Sequence, residues 1–127
     1  MQYPRIFATP DGESHLEDID VPLEVVQVVP GRPAIESGAP IARSAATLLY
    51  IGADWEATWH PTPKHWFCVT LAGEVEVTTS DGETRCFGPG SIYFLDDVTG
   101  KGHFSRVIGG KDWFGVAGGS GPETARA

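Results

Sequence analysis

Glycine and proline interrupt this chain so often that few stretches reach helical length, and the runs between them are β-branched or aromatic. There are 16 Gly and 10 Pro in 127 residues. Short strands joined by turns, closing into a sandwich or barrel, suit such punctuation better than a helical bundle. The stretch from Trp59 to His103 is the clearest case. Trp66–Leu71, Glu74–Thr79 and Glu83–Phe87 are β-type runs, with Gly73 between the first two and Ser80-Asp81-Gly82 between the last two. Asp-Gly between alternating runs is a strong hairpin signal. Gly88-Pro89-Gly90 then turns the chain into Ser91–Leu95. The stretch opens on His60 and closes on His103 after Gly-Lys-Gly, so a sheet folded back on itself brings the two imidazoles together.

Around this centre the chain reads as follows. Residues 1–20 form an extended, acidic arm without helical periodicity. Leu23–Val29 is a strand bounded by Pro22 and Pro30, Pro30–Pro40 a loop, and Thr47–Ile51 a strand. Glu56–His60 alternates with period two, placing Glu56, Thr58 and His60 on one face and Ala57 and Trp59 on the other, before Pro61 and Pro63 stop regular pairing. Asp96–Gly102 is expected as a solvated turn rather than a phosphate loop, because two carboxylates repel phosphate and no P-loop pattern follows. His103–Ile108 and Trp113–Val116 complete about nine strands. The barrel spans residues 21–117 as one domain, and residues 118–127 form a mobile tail.

Composition narrows the function. A formal net charge of -8 argues against nucleic acid and anionic membrane as partners, since phosphate binding needs a basic patch. Cys68 and Cys86 are too far apart for a CxxC pattern, and Cys68 lies in an apolar run where a buried free thiol is the ordinary outcome. The N-terminus lacks a basic region followed by an apolar core, and no apolar run approaches membrane length, so a cytoplasmic protein is expected.

The residues from 47 to 117 resemble the cupin superfamily, small β-barrels of the jelly-roll type. Its first motif is written G-x5-H-x-H-x3,4-E-x6-G and its second G-x5-P-x-G-x2-H-x3-N. Phe67–Leu71 followed by Ala72-Gly73-Glu74-Val75-Glu76-Val77 matches the end of the first motif. Gly82–Gly90 looks like the start of the second, and His103 stands at its histidine after a longer loop. The resemblance implies an all-β, single-domain cupin-type jelly-roll barrel. In metal-binding cupins, three histidines and a glutamate hold iron, manganese, nickel, copper or zinc. Counted back from Gly73, His60 takes the first histidine position, Thr62 the second and Trp66 the glutamate position. A divalent metal would therefore have His60 and His103 as an incomplete ligand set, with Glu56 or His65 as substitutes on paper.

Two classes of function follow. In the first, the barrel is an enzyme of isomerase, cyclase or lyase type acting on a small molecule. His60 or His103 serves as general acid or base and Glu56 as carboxylate partner. Thr58, Thr62, Trp66 and Cys68 are then expected in the substrate pocket, where Trp66 favours a flat or apolar ligand. A metal-dependent dioxygenase is a variant of this class. In the second class the chain is a non-catalytic binding or structural cupin with a degenerate metal site. The resemblance also implies a homodimer, with Leu23–Val29 as the contact.

Overall fold

The computed structural model describes residues 2–28, 30–38 and 43–120. Among them are the strands β1 (Gln2–Ala8), β2 (Ser14–Asp20), β3 (Leu23–Val26), β4 (Ile35–Gly38), β5 (Ser44–Ile51) and β6 (His65–Ala72). They continue as β7 (Glu74–Thr79), β8 (Thr84–Phe87), β9 (Ile92–Asp96), β10 (His103–Ile108) and β11 (Trp113–Ser120). Among the described residues no helix is long and apolar enough to cross a membrane.

A six-stranded sheet runs β2-β1-β9-β6-β11-β5 and faces a three-stranded sheet β10-β7-β8. The architecture is the expected all-β jelly roll, two sheets packed over one core. Alternation sets the inner face. On β7, Val75 and Val77 point in while Glu74 and Glu76 are only half-buried. With Phe87, Val107 and Trp113 they fill the space between the sheets, each buried large side chain contributing about 1.5–3 kcal/mol. Phe87 and Tyr93 stack with ring centroids 4.2 Å apart. Gly73 at φ 75° makes the tight turn from β6 to β7, against the backbone of Asp112 and Trp113, where no Cβ fits.

Three regions differ from the sequence expectation. Residues 2–20 are a β-hairpin built into the large sheet: β1 pairs antiparallel with β2 and parallel with β9, Ile6 standing opposite Leu95. Ile6 is fully buried, so this segment is part of the barrel wall rather than an arm. Leu23–Val29 forms β3 only as far as Val26, paired with β4, and Val29 lies outside the described residues. At the other end β11 runs through to Ser120, and the remainder of the expected tail, 121–127, lies outside the described residues.

Candidate active site

A cavity of about 210 Å³ opens between the two sheets. Leu49, Ile51, Val75, Val77 and Leu95 give it an aliphatic lining, and Trp55, Trp66, Tyr93 and Trp113 an aromatic one. His60, His103, Ser105 and Cys68 supply its polar and thiol groups. Of the residues expected from sequence, the fold therefore brings His60, His103, Trp66 and Cys68 to one pocket.

The two histidines meet because their backbones pair. His60 N–H donates to His103 O (3.2 Å) and His103 N–H donates to His60 O (3.0 Å). Gly102, at φ 74°, lies so close to the His60 carbonyl that a Cβ would fall on it. The glycine before His103 is thus what allows the close crossing. The rings lie with centroids 5.1 Å apart.

Each imidazole is oriented by an oxygen. His60 Nδ1 is 2.7 Å from the Thr58 carbonyl oxygen. His103 Nδ1 is 2.7 Å from Asp97 Oδ2, with His103 4% exposed and Asp97 fully buried. A carbonyl and a carboxylate only accept, so both Nδ1 atoms carry the proton and Nε2 is the nitrogen left to the pocket. The other Asp97 oxygen, Oδ1, is buried and unpartnered.

Asp97 is the residue that the sequence reading missed, since Asp96–Gly102 was expected to be a solvated turn. Both aspartates are buried. The cause is strand alternation running past the end of β9: Tyr93 and Leu95 face the pocket, and Asp97 follows them inward. Asp96 faces the other way. It accepts from Arg5 Nε (2.6 Å), Arg43 Nη2 (2.7 Å) and His65 Nδ1 (2.8 Å). Burial pushes the Asp96 carboxyl up, but the hydrogen bonds from Arg5, His65 and Arg43 together hold it below its ordinary value. His65, one position before the inward-facing Trp66, is spent in this cluster.

Glu56 and Thr58 do not join the pocket: both are exposed. The expectation that they share a face with His60 fails through one extra residue. Glu56 stands opposite Arg106 and His60 opposite His103, so four steps along one segment oppose three along β10. A bulge of one residue reverses the facing of everything beyond it. Thr62 is buried, but its hydroxyl donates to Lys64 O (2.8 Å), away from any ligand role.

Cys68 and Tyr93 are wall residues. Burial pushes the Cys68 thiol up to about 12, only partly countered by Tyr93 and Arg43, which leaves it no nucleophile. Burial likewise raises the Tyr93 hydroxyl, which is hydrogen-bonded with Thr70 and Cys68. Trp113 Nε1–H donates to Thr70 Oγ1 (3.0 Å).

These residues do not fit a resident transition metal. His60 and His103 supply two nitrogens, His65 is held by Asp96, and Glu56 faces outward. Among the described residues no group of three His, Cys, Asp or Glu is placed to hold an ion. Three protein ligands are the usual minimum.

No protein-family model matches the chain, and no curated protein matches it. Among solved structures it is similar to the Schizosaccharomyces pombe Cnp3 cupin domain, at 12% identity over 85% of this chain and 73% of that one, with a TM-score of 0.49. Two facing sheets enclose a pocket, Gly73 and Gly88-Pro89-Gly90 turn the chain between strands, and His60 pairs with His103: the fold is an all-β jelly roll.

Proposed function

We propose that the barrel binds one small molecule and that His103, oriented by Asp97, moves a proton on it. The carrying observation is the 2.7 Å bond between His103 Nδ1 and the fully buried Asp97. A carboxylate behind an imidazole fixes its tautomer and stabilises the protonated ring once a proton arrives. His60 lies beside it as a second acceptor. Proton transfer of this kind serves isomerisation, cyclisation and elimination, none of which requires a redox metal. Glu56, exposed on the far side of a bulge, takes no part.

The test is a single-turnover comparison of wild type with His103→Asn on any substrate shown to bind. General-base catalysis predicts a rate loss of about 10²–10⁴ with affinity little changed. Equal rates would remove His103 from the proton transfer, and no conversion by either protein would leave a binding module. That second reading draws on Thr62 and Trp66, which occupy two ligand positions of metal-binding cupins, Thr62 with its hydroxyl turned to Lys64. Stoichiometric metal in protein purified without chelator or tag would overturn both in favour of the dioxygenase variant.

The homodimer expected from sequence remains part of the proposal, with a second copy of this chain over β3–β4. Val25 is 75% exposed, and Leu23, Val26 and Ile35 are exposed beside it. A two-stranded hairpin is marginal by itself, and its free edges invite pairing. Elution at monomer mass in size-exclusion chromatography would remove this part.

A further inference from the structure

We infer that the pocket's ligand is an uncharged, mostly apolar ring carrying one hydrogen-bond donor, of the phenol or enol class; the inference rests on the pocket reading above. The first support is charge. Among the described lining residues none is Lys, Arg, Asp or Glu. An ionised ligand entering this lining loses its hydration without gaining a counter-charge. The nearest carboxylate, Asp97, stands behind His103 and opposes an anion further.

The second support is the polarity of the hydrogen-bonding groups. Both imidazoles hold their proton on Nδ1, toward Thr58 O and Asp97 Oδ2. In its neutral form each ring offers Nε2 as a bare acceptor, and with centroids 5.1 Å apart the pocket then concentrates two such acceptors at one end. The indole N–H of Trp113 and the Tyr93 hydroxyl are engaged with Thr70, while the Nε1–H of Trp66 is buried without a partner, so a ligand oxygen that both donates and accepts suits this lining. Ser105, two residues along the inward face of β10 from His103, has a hydroxyl able to take either role. A ligand O–H or N–H donated to Nε2 satisfies this end and leaves the donated proton where His103 would remove it.

The third support is size. A cavity of about 210 Å³ exceeds the roughly 150 Å³ of an apolar cavity that holds benzene. It suits one substituted ring, flanked by Trp55, Trp66 and Tyr93.

Four probes of similar size separate the alternatives by titration into the folded wild-type chain: phenol, anisole, benzoate and benzylamine. Phenol is expected to bind about three- to tenfold tighter than anisole, the value of one neutral hydrogen bond, with benzoate and benzylamine weaker than either. Imidazole Nε2 nitrogen resonances should move with phenol and not with anisole. Anisole equal to phenol, or phenol bound without movement at either Nε2, overturns the donor requirement and leaves the pocket reading standing. Benzoate or benzylamine binding tightest overturns the requirement for an uncharged ligand, again leaving the pocket. If no probe perturbs pocket resonances, both readings fall.

Discussion

Asp96 and Asp97 are neighbours in the chain, both buried, and lie in opposite surroundings. Asp96 is surrounded by donors: two guanidinium groups and an imidazole reach its oxygens. Asp97 has one side-chain partner, His103, and an oxygen with none. Ample partnering on the outer side ties β1, β6 and β9 together, since Arg5, His65 and Asp96 belong to those strands. Sparse partnering on the inner side leaves an imidazole poised against a cavity. A buried carboxylate earns a functional reading from what its partner faces, and burial alone does not distinguish the two.

Four changes press on that contrast, taken from the largest expected effect to the smallest. Gly102→Ala places a Cβ on the His60 carbonyl at positive φ, and should cost about 4 kcal/mol of unfolding free energy in urea titration. A neutral result would mean that the two histidine segments separate easily and that their pairing does not define the pocket. Asp96→Ala removes the carboxylate shared by Arg5, Arg43 and His65, leaving Arg5 to Glu17 and Arg43 to the Trp66 carbonyl, for an expected loss of about 3 kcal/mol with phenol affinity unchanged. Because the Asp96 carboxyl sits below its unfolded value, its stabilisation is complete above about pH 4 and fades as pH falls through the lower folded value. Urea midpoints between pH 2 and 6 should therefore drop in wild type and drop less in Asp96→Asn.

Asp97→Asn should change stability by under about 1.5 kcal/mol, because an amide oxygen still accepts from His103 Nδ1. Any proton transfer at His103 should nevertheless slow by about 10²-fold or more, since the protonated ring loses its counter-charge. Rate and stability falling together would make Asp97 a structural group like its neighbour. The smallest effect is on thiol labelling. With its thiol at about 12, Cys68 should resist iodoacetamide at pH 8 in the native chain while exposed Cys86 reacts. Equal labelling of both would show a pocket wall open to solvent.

The strands from Trp66 to Leu95 were legible because each alternates and each turn carries its own signal: Gly73, Asp81-Gly82 and Pro89-Gly90. β1 and β2 were not, since Pro4 and the run of acidic residues mask them and the pairing of β1 with β9 spans most of the chain. The histidine pair was legible through the motif positions of His60 and His103. Its carboxylate was sought at Glu56, by extending a period-two pattern through a segment where the pairing slips by one residue. A bulge leaves no mark in the alternation itself. The alternation that did carry the answer was that of β9, whose inward set Tyr93 and Leu95 continues to Asp97.

The bulge between Glu56 and His60 also keeps a carboxylate off the pocket face. Without the extra residue Glu56 would stand opposite Val107 and point inward, four residues along the same strand face from His60. The cavity owes a lining free, among the described residues, of Lys, Arg, Asp and Glu to one step of register as much as to the choice of side chains.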